Sequence, residues 1–320
     1  MSGRRYLLIT PCRDEARFAR RTLAAVLAQT EAPALWVVVD DGSRDETPAL
    51  VEEARARAPW IRLVRRPDRG VRKVGGGVIE AFDAGLATVD LRQFDYVCKL
   101  DLDLDLPPGY FAGLMDRMER DPRIGTCSGK PWFLPPGTPE ERIRFPLDTA
   151  GFVSELTGDE NSVGMTKFYR TACFRQIGGF VREVMWDGID GHRCRQLGWI
   201  AVSWDDPELR FVHLRPMGTS HKGWWTGRKR HGFGQYFMGT TPVYMLASAV
   251  FRMARPPLVV GGLGMATGYF ESMFRGRPRY GDDEFRRFLR RYQWACLFKG
   301  KRRATAELNA RQAQVWSPQA

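Results

Sequence analysis

The chain has 320 residues, 43% of them hydrophobic and 27% charged, a balance that excludes a disordered or low-complexity polypeptide and suits one large domain with an extension, or two modest domains. Its formal net charge of +12 is lopsided: Arg210 to Arg303 carries 19 Lys/Arg against 4 Asp/Glu, so a near-neutral first two-thirds is joined to a basic last third suited to phosphorylated ligands, anionic lipid or nucleic acid. Six cysteines without a C-x-x-C pair argue against a disulfide framework or a zinc site and for reduced thiols in a cytosolic setting.

Within MSGRRYLLIT the apolar run is short and stops at Pro11, so Tyr6–Thr10 is expected as a first strand and not as a signal peptide. Phe18–Gln29 carries apolar residues at helical spacing. Leu35–Val39 is a β-branched run ended by the turn Asp40-Asp41-Gly42-Ser43, and a helix follows to about Arg57. Trp60–Val64, a helix over Val78–Ala87 and a strand ending in Cys98-Lys99-Leu100 continue the alternation. Repetition at this interval predicts an α/β fold with a mainly parallel sheet and helices on both faces. Ligands of such sheets bind beyond the carboxyl ends of the strands. Three polar strand ends are therefore candidates: Pro11-Cys12-Arg13-Asp14-Glu15, Asp40-Asp41-Gly42-Ser43 and Asp101-Leu102-Asp103-Leu104-Asp105.

In KLDLDLDLPPGYF the prolines end the strand and leave carboxylates close together, a hard-oxygen set that suits Mg²⁺ or Mn²⁺ with substrate phosphates. The pair Asp40-Asp41 suits either a turn that caps the next helix or an acceptor for a uracil N–H or ribose hydroxyls. Arg65, Arg66, Arg69, Arg72 and Lys73 precede Gly75-Gly76-Gly77; this is a solvated loop, or it sets cations and backbone N–H groups near a diphosphate. From the residues alone, Asp187 in MWDGIDGHRCRQLGW is the N-cap of a helix over Ile189–Leu197. The segment GTSHKGWWTGRKRHGFGQYF is either a surface loop with aromatic anchors or a lid whose Arg228, Lys229, Arg230 or His231 reaches a diphosphate. Pro242–Met253 and Pro257–Phe274 are apolar but too short to span a bilayer, with Arg252 and Arg255 at their junction. They suit core helices or interfacial helices, and the flanking Arg275, Arg277 and Arg279 favour the interfacial reading on an anionic leaflet.

The series TPCRDEA, VVVDDGSRDET, AFDAGLA and KLDLDLDLPPGYF resembles, in order and separation, the family 2 glycosyltransferases of GT-A fold. The resemblance implies a nucleotide-diphospho-sugar donor contacted by Pro11, Glu15 and Asp41, with Arg13 and Lys73 as cationic candidates beside it. It places the family's D-x-D on Asp101 and Asp103, with Asp101 also on the donor side and His213 of FVHLRP a candidate third ligand of Mn²⁺ or Mg²⁺. MWDGIDGHRCRQLGW is similar to the family's acidic motif, with Arg193 and Gly198 at the familiar distances from Asp187 and Trp186 where the family has Glu. This implies Asp187 as catalytic base. TKFYRTACFRQIGGF resembles the acceptor-side helix and Gly-Gly turn. GMTKFYR, VHLRPMG and RPPLVVGGLGMATGYF resemble a bacterial branch active in exopolysaccharide or lipid-linked glycan assembly.

The expected organisation is a GT-A catalytic domain over 1–213, a flexible lid over 214–240 with Arg230 as its cation, and a basic amphipathic helical extension over 241–320. The expected activity is inverting, metal-assisted transfer to a hydroxyl of a lipid-linked glycan, at the inner face of the plasma membrane. Transfer to a polyprenyl monophosphate, which needs no base, is the alternative within the superfamily, and a nucleotidyltransferase would use similar acidic ligands. A nucleic-acid-binding protein would stack Trp224, Trp225 and Tyr236 on bases, but the acidic strand ends would repel its phosphates, so no nucleic-acid partner is expected.

Overall fold

The computed structural model describes residues 4–70, 75–135, 137–154, 158–215, 223–254 and 258–318. The chain begins with β1 (Tyr6–Cys12), α1 (Ala16–Leu27), β2 (Leu35–Asp40), α2 (Thr47–Arg57), β3 (Ile61–Arg65), α3 (Gly76–Leu86) and β4 (Tyr96–Leu100). It continues with β5 (Leu104–Asp105), α4 (Tyr110–Arg120), β6 (Ile124–Gly129), β7 (Pro131–Phe133), β8 (Val153–Ser154), β9 (Thr166–Arg170) and α5 (Thr171–Gln176). Then come α6 (Trp186–Gln196), β10 (Ile200–Trp204), β11 (Phe211–His213) and the helices α7 (Gly223–Met238), α8 (Pro242–Met253), α9 (Val260–Phe274), α10 (Asp283–Lys299) and α11 (Lys301–Gln312).

The main sheet has the order β10-β6-β9-β4-β1-β2-β3, and a smaller one the order β5-β11-β7-β8. All pairings of the main sheet are parallel except those of β9, which runs antiparallel between β4 and β6. Its central strands are apolar on both faces because helices cover both: Leu8 and Val38 join one core with Leu23 and Phe111, Leu7 and Val37 another with Phe82 and Phe174. Helix α1 also clamps the acidic segment after β4. Its Thr22 hydroxyl donates to the Leu104 carbonyl (2.7 Å) and accepts from the Leu104 N–H (2.9 Å), while Gln29 Nε2 donates to the Pro107 carbonyl (2.9 Å). Asp105 is thereby turned away from the strand end to an ion pair with Arg21.

Two expectations change. The segment expected as a lid loop is the helix α7 from Gly223 onward, and the remainder of that segment, 216–222, lies outside the described residues. Glycines of α7 and α9 are packing sites: a Cβ at Gly232 of α7 would stand 2.0 Å from the Met265 carbonyl, and one at Gly268 of α9 2.0 Å from that of Lys229. Tertiary contact between α7 and α9 thus overrides the low helix propensity of glycine. Gly268→Ala forces backbone apart, and it is expected to cost about 1–3 kcal/mol, as overpacking does; a melting temperature equal to that of the wild type would refute this packing. Tyr236, proposed to stack on bases, is buried at 5% exposure and lies under Arg279.

The second change concerns α6. It starts at Trp186, after Met185 in a left-handed conformation (φ 73°), so Asp187 lies in the first turn and is not the cap. Phe285 and Leu289 of α10 pack with Ile189 of α6. Gln312 donates to the carbonyls of Gln196 (3.0 Å) and Arg195 (3.3 Å) at its far end, and Trp316 meets Trp199 edge-on at 5.5 Å. Four helices of the basic third, α7 with α9 and α10 with α11, therefore form two packed pairs beside the sheet.

Candidate active site

The carboxyl ends of β1, β2 and β4 open into one cleft of about 540 Å³. Pro11, Arg13 and Glu15 line it from β1, Asp41 from β2, and Lys99, Asp101 and Asp103 from β4. Gly164, Trp186 and Asp187 form the opposite wall, and His213, Arg215, Arg230 and Lys301 close it from the C-terminal side. The cleft thus brings together Pro11, Arg13, Glu15, Asp41, Asp101, Asp103, Asp187, His213 and Arg230, whereas Asp40, Asp105, Arg66, Arg69, Arg228, Lys229 and His231 do not line it, and Lys73 and Arg72 lie outside the described residues.

At the end of β2, Asp41 is an ion-paired carboxylate. Arg66 reaches its Oδ1 at 2.6 Å and Arg69 its Oδ2, while Arg69 also holds Glu80 at 2.7 Å. These two cations, grouped in the sequence with a possible diphosphate loop, serve Asp41. Arg13 is 8% exposed; it donates to the Asp41 carbonyl (2.9 Å) and pairs with Asp68 (2.6 Å). Gly75 and Gly77 of the glycine triplet line the cleft at the start of α3. Gly75 has φ 81°, and a Cβ at Gly76 would lie 2.5 Å from the Arg182 carbonyl, so these glycines let α3 pack against the 182–184 segment.

At the centre, the two carboxylates of the D-x-D part company. Asp101 pairs with Lys99, which also donates to the Gly164 carbonyl at 3.0 Å. Burial, and then the neighbouring charge of Asp103, push the Asp101 carboxyl up. Burial works the same way on Asp103, but the hydrogen bond and charge of His213 and the charges of Arg215 and Lys99 outweigh it and hold Asp103 well below the usual carboxylate range. His213 Nε2 lies 3.4 Å from Asp103 Oδ2, and Arg215 Nε 2.6 Å from the same oxygen. Arg215 also donates to Glu15 at 2.8 Å, bridging β1 and β4. Burial opposes its charge, yet Asp103 and Glu15 raise the guanidinium above its ordinary value.

The expected metal trio is therefore only partly assembled: Asp103 and His213 meet, whereas Asp101 is engaged by Lys99. Among the described residues no three His, Cys, Asp or Glu side chains stand together as a complete cation site. Asp103 Oδ1, however, is buried without a partner, an orphan acceptor that a cation would satisfy. Two protein ligands with phosphate and water oxygens completing the shell fit a Mg²⁺- or Mn²⁺-type ion.

Asp187 faces the cleft against Gly164, where an added Cβ would be 2.8 Å from its Oδ2. Its carbonyl accepts from Lys167 Nζ (2.8 Å) and Asn161 Nδ2 (3.0 Å), whereas among the described residues no donor pairs with its carboxylate. Lys167 is fully buried and ion-paired with Asp190 at 2.5 Å. Trp186, the departure from the family pattern, packs on Phe180 at 4.8 Å and lies within 5.2 Å of Lys99 Nζ and 5.8 Å of Lys167 Nζ. The indole face thus shields two buried cations where a second carboxylate would otherwise stand.

Lys99, Arg215 and Lys301 were not singled out from the sequence. Arg215 had a signal: it follows His213 by two residues, and the alternation of a strand puts both on one side. Lys99 and Lys301 had none that distinguishes them from other lysines.

No curated protein matches the sequence. The mannosyltransferase PcManGT from Pyrobaculum calidifontis, solved with GDP-Man and Mn²⁺, superposes with a TM-score of 0.51 at 18% identity, over 98% of this chain and 86% of that one. GalNAc-T7, solved with UDP, GalNAc and Mn²⁺, gives 0.56 at 14% identity over 92% of this chain, which spans 57% of that longer protein. Both share the GT-A architecture of mixed, mainly parallel sheet and flanking helices. The glycosyl transferase family 2 model matches residues 7–178, more than half of the chain, and with the converging strand ends it establishes that the protein is a glycosyltransferase belonging to glycosyl transferase family 2.

Proposed function

We propose that the enzyme transfers a sugar from a nucleotide-diphospho-sugar to a hydroxyl of a lipid-linked glycan, with inversion at the anomeric carbon. The observation that carries this reading is the unpaired Asp187 carboxylate facing the same cleft as Asp103 and His213. Family membership, and two neighbours of like fold bound to GDP-Man and to UDP, support the donor class. Pro11, Glu15 and Asp41 hold the nucleoside, and Arg13 lies on the same side; Lys73, the other cation assigned to the donor, is outside the described residues. The organisation we assign is a catalytic domain over 1–213 completed by residues of the 214–240 and 241–320 segments, since Arg230 and Lys301 both line the cleft.

The incoming hydroxyl gives its proton to an Asp187 oxygen as its own oxygen attacks the anomeric carbon, opposite the departing diphosphate. One displacement inverts the centre, and no covalent glycosyl-enzyme is formed. Asp103 and His213 would hold Mn²⁺ or Mg²⁺, which supplies charge neutralisation at the leaving diphosphate. Arg230, half-buried on α7, adds a cation from the C-terminal side of the cleft. A second reading, transfer to a polyprenyl monophosphate, is favoured by the further cation Lys301 in the cleft lining, which suits an acceptor that is already anionic. Screening turnover with UDP-, GDP- and dTDP-sugars plus Mn²⁺ tests the donor class: release of nucleoside diphosphate from one of them is expected, and release from none, with turnover of nucleoside triphosphates instead, would sink the reading.

A further inference from the structure

Helix α8 has an outward face without polar residues. Its exposed positions recur at intervals of three and four, from Val243 through Leu246 to Val250 and Ala254, and all are apolar; Met245 and Ala249 point inward. The start of α9 continues the surface, with Leu258 62%, Val259 58% and Leu263 48% exposed. The two helices meet closely: Val259 N–H donates to the Met253 carbonyl at 3.0 Å, and a Cβ at Gly262 would stand 2.2 Å from the Ala249 carbonyl. The ends of both exposed faces therefore adjoin. Exposed apolar area of this extent on a folded helix pair marks a contact surface.

Charge says what the contact is. Between residues 242 and 281 there are five arginines and a single acid, Glu271. A second copy of the chain would set these cations against themselves, whereas an anionic lipid surface complements both the apolar face and its rim. At about 1.5 Å per residue, helices of 12 and 15 residues are shorter than a hydrocarbon core of about 30 Å, and no helix among the described residues is long and apolar enough to cross a membrane.

We infer that the outer face of the α8–α9 hairpin docks in the headgroup region of an anionic bilayer, with Val250, Leu258 and Leu263 among the acyl chains and the exposed Arg275 and Arg277 at lipid phosphates. This rests on the lipid-linked acceptor reading for its purpose, though not for its measurement. Helix α7 joins the two sites: Lys229 and Gly232 pack on α9, and Arg230 lines the cleft. Docking therefore holds the cleft at a fixed height above the leaflet, within reach of a glycan attached to a lipid.

Flotation of the full-length protein with vesicles of phosphatidylcholine mixed with phosphatidylglycerol tests the surface. The wild type is expected to float with these vesicles about tenfold more than with pure phosphatidylcholine, and to be released by high salt. The double variant Val250→Glu, Leu263→Glu is expected to lose about tenfold in flotation, with unchanged melting temperature and unchanged binding of nucleoside diphosphate. A wild type that stays in the soluble fraction, or a variant that floats as well as the wild type, would overturn the inference. So would a wild-type dimer that the variant splits in sedimentation velocity, which would assign the face to a second copy. Failure of nucleoside diphosphate to bind any of the proteins counts against the transferase reading and leaves the docking result standing.

Discussion

Asp187→Asn is expected to lower turnover by about 10²–10⁴-fold, the usual worth of a positioned general base, equivalent to about 3–5 kcal/mol of barrier. The substitution keeps the shape of the side chain and removes only its capacity to take a proton. Its structural cost is small because the carboxylate is unpaired, and the bonds that fix this turn of α6 run to the Asp187 carbonyl from Lys167 and Asn161. Burial, and to a lesser degree the charge of Asp187, push the Asp190 carboxyl up against the pull of Lys167, so the variant relieves one repulsion and loses none of these contacts. Donor affinity and melting temperature should stay as in the wild type. Turnover within a few-fold of wild type would remove Asp187 from the chemistry and move the balance to an acceptor that needs no base, the polyprenyl monophosphate.

Asp103→Ala should abolish the dependence of donor binding on Mn²⁺. Two contacts depend on this carboxylate, the approach of His213 and the ion pair with Arg215. Its removal leaves a half-buried arginine short of one partner, so some loss of stability is expected with the loss of metal dependence. His213→Gln separates the two effects, since it leaves the Asp103–Arg215 pair in place while removing the imidazole. Titrating donor with and without Mn²⁺ gives the readout: a gain of about tenfold or more, about 1.4 kcal/mol, in the wild type, sharply reduced in His213→Gln and absent in Asp103→Ala. An undiminished gain in the alanine variant would contradict the assignment.

The strands and their acidic ends were legible because the signals are local. Apolar runs followed by polar turns show roughly where β1, β2 and β4 lie, although β1 runs through Pro11 to Cys12 and β4 ends at Leu100, ahead of the prolines, and an α/β layout then brings Glu15, Asp41 and Asp103 to one edge. What was not legible depends on contacts between distant segments. Lys99 sits in an apolar strand, and its engagement of Asp101 and Gly164 follows from a wall built sixty residues later. The glycine-rich stretch before Met238 carries every mark of a loop, and only its packing on α9 makes it a helix. Asp187 has the position of a cap, and the left-handed Met185 moves the helix start so that it becomes a cleft residue instead. Trp186 is intelligible only beside the two lysines that it covers.

The last forty residues reach further into the cleft than their position in the chain suggests. Helix α6 is braced along its flank by Phe285 and Leu289 and at its distal end by Gln312, while Lys301 stands in the wall of the cleft itself. Shortening the tail would therefore loosen the mounting of Asp187 and take away a cation, without altering any residue matched by the family pattern. The portion of the protein that looks like an appendage is the splint on which the helix bearing Asp187 is held.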